Sequence, residues 1–138
     1  MLIENDVIFA FLNKLDKNYS VARAIFKKIR DGELRVEVSS VSLLEMELIY
    51  RSEERESQLF KDLAALASFE NITFIPLTPE IALTSVYIRR KWGLSFFDSH
   101  YAATALGLDR KIISFDVAYD RVEGLTRIDP KKVIEEIS

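Results

Sequence analysis

Five short apolar segments, MLIEN, LRVEVS, ITFIPL, KIISF and GLTRI, recur along the chain with segments of helical spacing between them. The order reads β-α-α-β-α-α-β-α-α-β-(α)-β-α. Neighbouring parallel strands need a crossover connection, and crossover helices cover the faces of the sheet they return to. The expected fold class is therefore α/β: a parallel sheet of four to five strands flanked by helices on both faces, a Rossmann-like three-layer architecture. A length of 138 residues suits one such domain, spanning 1–138. In open parallel sheets, ligands gather at the carboxyl ends of the strands. That rim is where functional side chains are to be sought.

The helical segments carry their own punctuation. VIFAFLNKL follows the first strand at once. SVARAIFKKIRDGE places Val21, Ala24, Ile25 and Ile29 at helical spacing, and Gly32 fits its stop. In SVSLLEMELIYRS, Val41, Leu44, Leu48 and Ile49 form one stripe at about 100° per residue, and Glu45 falls inside it. Glu47 points elsewhere and has Arg51 at i+4, which predicts a surface ion pair. ESQLFKDLAALASFE is helical. TPEIALTSVYIRRKW opens with Thr78 as N-cap, Pro79 at the first helical position and Glu80 in the first turn. A helix rich in small residues runs through LSFFDSHYAATALGLD, and PKKVIEEIS supplies a last one.

Several function classes drop out on composition. With no cysteine, a disulfide scaffold, a cysteine nucleophile and thiolate metal sites are excluded. The lack of thiols fits a cytoplasmic protein. His100 is the one histidine and is expected to be packed or at the surface, so a histidine-dependent triad is not expected. A net charge of −3 gives no global basic footprint for nucleic acid. A polyanionic substrate then needs bound cations or local clusters such as Arg89, Arg90 and Lys91, or Arg110 and Lys111; solvated surface charge is the plainer role for each. The start, MLIENDVIFAFL, is too short and too acidic to read as a secretory signal, and no apolar run reaches the ~20 residues of a membrane span.

The acids are more informative. Glu4 and Asp6 stand where the first strand ends, where capping by Asn5 or Asp6 also accounts for polar residues. Asp116 ends IISF at the same rim and can equally cap the turn VAYDRV. Asp98 lies three residues after Ser95, which matches a capping pattern, yet it opens a helix that is apolar or small throughout. Glu45 sits on an apolar face, where an unpaired carboxylate costs several kcal/mol unless a cation or a buried basic side chain compensates. Together these are carboxylates from four segments. Hard divalent cations such as Mg²⁺ and Mn²⁺ take such all-oxygen sites.

These residues resemble the PIN-domain ribonucleases, in particular the VapC-type toxins of prokaryotic toxin–antitoxin pairs. The likeness extends over nearly the whole chain and is strongest in Leu77 to Pro130, where GLSFFDSHYAATA, SFD and a closing strand and proline stand in the family's order. SSVSLLEME resembles the family's central acidic segment. The resemblance implies a PIN-like fold and Mg²⁺- or Mn²⁺-dependent cleavage of RNA. The acids it implies are Glu45, Asp98 and Asp116, with Ser114 at a hydroxyl position near the metal. It also implies an antitoxin protein as partner and a homodimer. The family opens its site with DTN where this chain reads END. Glu4 then stands at the first aspartate and Asp6 at the asparagine, and both are expected to contribute, Asp6 the more sensitively. If the chain turns into its helix at Asn5, the two diverge and only one reaches the metal. The same departure leaves a second reading open: a catalytically inactive PIN-like module that binds a protein partner.

Overall fold

The computed structural model describes residues 1–137. Five strands, β1 (Leu2–Ile3), β2 (Val36–Ser39), β3 (Ile72–Ile75), β4 (Lys111–Ile113) and β5 (Thr126–Ile128), pair in the order β3-β2-β1-β4-β5, every pair parallel. The helices are α1 (Asn5–Leu12), α2 (Tyr19–Arg30), α3 (Ser40–Ser52), α4 (Glu56–Ala67), α5 (Pro79–Trp92), α6 (Phe96–Leu106) and α7 (Pro130–Ile137), with a 3₁₀ turn at Val117–Arg121. This is the expected three-layer α/β architecture with five strands. The expected last helix also took in Ser138, which lies outside the described residues.

Strand alternation splits the core into two. Ile3 and Ile113 face a cluster with Val7, Ile8, Ile25, Phe26 and Ile29, closed by Met46, Tyr50 and Leu66 from α3 and α4. Leu2 and Ile112 point the other way, onto Ile88, Leu94, Tyr101 and Ala102. Helix α6 is buried from Ser99 through Ala105, so it is apolar nearly all round and not amphipathic. Thr78 caps α5 by accepting from the Ile81 amide, with Pro79 behind it, as the sequence predicts. Gly93 ends α5 at φ +70°, a left-handed C-cap that a side chain would strain.

Three local expectations are corrected. The α3 stripe is misplaced: Leu44 and Leu48 are each 51% exposed, and Ile49 is exposed too. The face that packs carries Val41, Ser42, Met46 and Tyr50. The chosen stripe holds more aliphatic area, but α4 and the sheet meet α3 one position away from it. Glu47 and Arg51 make no ion pair with each other among the described residues. Finally, β1 is only two residues long, because the chain enters α1 at Asn5.

Candidate active site

Glu4 lies directly after β1, and its amide donates to the Ile113 carbonyl of β4 (3.0 Å). The chain runs one way from β1 toward β2 and β3, the other way from β4 toward β5, so this is the sheet's switch point. Ser114 and Asp116 follow β4 on the same rim. Asp98 comes from the first turn of α6, and Glu45 from α3, which begins directly after β2.

Ser114 ties the amino-terminal acids together. Its buried hydroxyl lies 2.8 Å from Asp6 Oδ2 and 3.2 Å from Glu4 Oε2, and it accepts from the Asp116 amide at 3.0 Å. The Phe115 amide donates to Asp6 Oδ2 (2.9 Å). The helix does begin at Asn5, yet Glu4 and Asp6 do not part company: Glu4 as N-cap and Asp6 in the first turn both turn toward Ser114. A single hydroxyl gathers both carboxylates despite the divergence that the turn into the helix implies.

The other acids are held by residues the sequence reading missed. Glu45 Oε1 accepts from Asn5 Nδ2 and from the Tyr101 hydroxyl, both at 2.7 Å. Asn5 Nδ2 also lies 3.1 Å from the Ser42 carbonyl and 3.2 Å from the Tyr101 oxygen, which joins α1, α3 and α6 behind the acid. Asp98 Oδ1 accepts from the hydroxyl of Tyr119 (3.2 Å), a residue with no exposed surface. The available signal was chemical: Tyr101 lies in a helix of mostly small and apolar residues, and a buried tyrosine finds a partner for its hydroxyl. The capping roles of Ser95 and Asp116 are present as well, since Ser95 accepts from the Asp98 amide and Asp116 from the Ala118 amide. Capping and a place on the rim coexist in the same side chains.

The electrostatics follow from burial. Glu4 is 6% exposed, and burial raises its pKa well above the ordinary glutamate range; the carboxylates of Asp6, Asp98 and Glu45 push it further up. Burial also raises Asp6, against hydrogen bonds from Glu4, Ser114 and the Phe115 amide that favour its charged form. Asp98 is raised chiefly by burial, with Asp116 adding and the Ser95 and Tyr119 hydroxyls opposing. Burial and crowding of carboxylates thus favour a proton on the Glu4–Asp6 pair. Burial and the nearby carboxylates raise both Tyr101 and Tyr119, so their hydroxyls remain donors. None of the five acids has an ion-pair partner among the described residues. Arg127 reaches the Ser114 carbonyl but pairs with Asp120.

The cluster is open. Among the described residues no three histidine, cysteine, aspartate or glutamate side chains form a ready ligand group. The well-formed grooves lie elsewhere, one of about 420 Å³ between α3 and α4 lined by Leu44, Leu48, Phe60 and Leu63. His100 is packed as expected, with its ring 4.8 Å from Phe96 and Nδ1 buried without a partner. Arg89 spans to the Ser85 and Ser99 hydroxyls. Arg110 and Lys111 sit at the amino end of β4, the opposite rim from the acids, so they cannot serve this site.

A three-layer α/β protein with acids gathered at the switch point of a parallel sheet is the class this geometry defines. The chain belongs to the PIN domain family, whose model matches residues 1–125. It is similar in fold to VapBC2 from Rickettsia felis, solved bound to a DNA fragment from their promoter: 14% identity, 92% of this chain and 96% of that one covered, TM-score 0.69. It is also similar to VapC20 of Mycobacterium tuberculosis, a sarcin-ricin loop cleaving toxin (16%, 86% and 92%, 0.69), and to a toxin–antitoxin complex from Klebsiella pneumoniae (16%, 94% and 96%, 0.64). A search of curated proteins gives no match.

Proposed function

We propose that this PIN-domain protein is a Mg²⁺- or Mn²⁺-dependent endoribonuclease that hydrolyses RNA phosphodiester bonds, and that it is the toxin of a toxin–antitoxin pair. The observation that carries this reading is the buried Glu4 facing three further carboxylates, with no ion-pair partner for any of them among the described residues. Carboxylates crowded around a buried one are costly unless a proton or a cation offsets them. The donor set fits a hard divalent ion: it is all oxygen, and Asp6 Oδ1 is buried with no hydrogen-bond partner.

Glu4, Asp6, Glu45, Asp98 and Asp116 would hold the ion. Bound there, it supplies positive charge against the phosphodiester and activates water for attack. The chain's own groups do the rest. Ser114 orients Glu4 and Asp6; Asn5 and Tyr101 fix Glu45; Tyr119 fixes Asp98. Burial raises the Glu4–Asp6 pair toward its protonated form, so cation binding there would release a proton. The carboxylates otherwise repel RNA, so substrate binding depends on the same neutralisation.

The partners follow from surface and likeness. Two of the similar structures are toxin–antitoxin assemblies, which supports an antitoxin partner. Leu83, Val86 and Tyr87 form an exposed apolar stripe on α5, which supports a homodimer. The apolar amino-terminal helix offers no such face: Val7, Ile8 and Ala10 are buried and Phe9, Phe11 and Leu12 pack against the core. Among the described residues no helix is long and apolar enough to cross a membrane, and a cytoplasmic location fits the cysteine-free chain. A second reading, an inactive protein-binding module, draws on the open cluster and on Glu4 in place of aspartate. The deciding test incubates RNA with purified protein in Mn²⁺ and in chelator. Cleavage only with Mn²⁺, lost in Asp98→Asn, supports the nuclease; no cleavage of any RNA under either condition favours the module.

A further inference from the structure

Asp6, Glu45, Asp98 and Asp116 each have one carboxylate oxygen occupied by a donor of the protein itself, and Glu4 shares the Ser114 hydroxyl with Asp6. Glu4 Oε2 and Asp6 Oδ2 meet Ser114, Asp6 Oδ2 also the Phe115 amide, and Asp116 Oδ1 the Ala118 amide. Glu45 Oε1 takes Asn5 and Tyr101, and Asp98 Oδ1 takes Tyr119. The second oxygens of the two acids held by tyrosines, Glu45 Oε2 and Asp98 Oδ2, stay outside these bonds. The site therefore offers a cation single oxygens from several directions, and not paired oxygens from any one residue.

Divalent ions differ in what they ask of such a set. Mg²⁺ needs near-octahedral coordination and keeps several waters, so single oxygens suffice. Ca²⁺ takes six to eight ligands and readily uses both oxygens of a carboxylate. A carboxylate pinned through one oxygen cannot swing to present both without losing a hydrogen bond. On Glu45 and Asp98 the pins are tyrosine hydroxyls on buried rings, Tyr101 and Tyr119, so they hold the carboxylates through rigid, low-entropy side chains.

We propose that Tyr101 and Tyr119 are positioning residues that hold Glu45 and Asp98 to one free oxygen each and so set the site's preference for small six-coordinate cations over Ca²⁺. The inference rests on the cation-binding reading above and deepens it by assigning how the ion is chosen. Hydrogen bonds to ligating groups are commonly worth 10–100-fold in metal affinity. Removing these two hydroxyls is thus expected to weaken Mn²⁺ strongly. Ca²⁺, which gains access to the second oxygen, is expected to weaken little or to strengthen.

The experiment is calorimetric titration of chelator-treated protein with Mn²⁺ and separately with Ca²⁺, on wild type, Tyr101→Phe, Tyr119→Phe and the double variant. Phenylalanine keeps the buried volume, and a thermal melt of each variant checks folding. Tyr50→Phe is the control: it too removes a tyrosine hydroxyl bonded to a carboxylate, Asp62, but away from the cluster. The expected result is wild type preferring Mn²⁺, with the Mn²⁺-to-Ca²⁺ affinity ratio falling about fivefold or more in each single variant and further in the double. The Tyr50→Phe ratio is expected to stay at the wild-type value. Folded variants with wild-type ratios would overturn the inference alone. A wild type that binds neither ion overturns it together with the reading beneath it.

Discussion

Glu4 and Asp6 converge on one proton donor, the Ser114 hydroxyl, which lies 3.2 Å from the first and 2.8 Å from the second. One hydroxyl proton cannot fully satisfy two carboxylates, and it lies closer to Asp6. Glu4 is left to carry a proton of its own or to meet a cation. That relation gives the site both its pH behaviour and its chemistry.

Removing either amino-terminal acid should impair catalysis. Glu4→Gln and Asp6→Asn are each expected to lower Mn²⁺-dependent RNA cleavage at least roughly tenfold, about 1.4 kcal/mol in the barrier. Glu47→Gln, on an exposed position of α3, is the matched control and should cleave like wild type. Full activity in both amino-terminal variants, with loss in Asp98→Asn, would show that the site does not extend to β1.

The pH dependence of stability has a definite sign. Glu4, Asp6 and Asp98 all have pKa values raised in the folded chain, so the folded state favours their protonated forms. Their contribution is fully present below the unfolded values, about 4, and is lost as pH rises through the raised folded values. In chelator, urea unfolding of wild type and Glu4→Gln should therefore diverge with pH, the variant gaining on wild type between pH 5 and pH 8. Mn²⁺ should close the gap at pH 8 by stabilising wild type. A difference between the two proteins that does not change with pH would rule out a protonated Glu4.

A structural carboxylate elsewhere behaves differently. Asp62 is buried in α4, with Oδ2 accepting from the Tyr50 hydroxyl (2.6 Å) and Oδ1 from Gln58 (2.9 Å). Tyr50→Phe leaves that charge short of a donor and should cost about 1–3 kcal/mol in urea unfolding, with RNA cleavage retained.

Light scattering at micromolar concentration should give twice the chain mass. Leu83→Glu puts a charge in the exposed α5 stripe, where Leu83 is 73% exposed, and should give the single-chain mass without loss of folding. A wild-type monomer, or a dimer indifferent to Leu83, would move the interface off α5.

The sheet was legible because strand–helix alternation leaves few topologies open, and the α5 start because Thr78, Pro79 and Glu80 signal it three times over. The α3 register was not. Its two apolar faces compete, and only the position of α4 and the sheet decides that Met46 and Tyr50 turn inward while Leu44 and Leu48 stay out. Glu4, Asp6, Asp98 and Asp116 stand out by their places at segment ends, whereas Glu45 stands out only by a stripe that the fold leaves largely exposed. Their supports do not stand out: Tyr101 lies 56 residues from Glu45 and Tyr119 lies 21 from Asp98, and no local pattern joins residues that only the fold brings together.

The most direct measurement is anomalous diffraction from crystals of the wild-type protein soaked in millimolar Mn²⁺. The expected result is one strong Mn²⁺ peak at the β1–β4 switch point, within about 2.0–2.6 Å of oxygens from Glu4 or Asp6 and from Glu45, Asp98 or Asp116. A map with no Mn²⁺ at that rim, or with the ion bound only elsewhere on the surface, would contradict the assignment of these carboxylates as a metal-dependent nuclease centre.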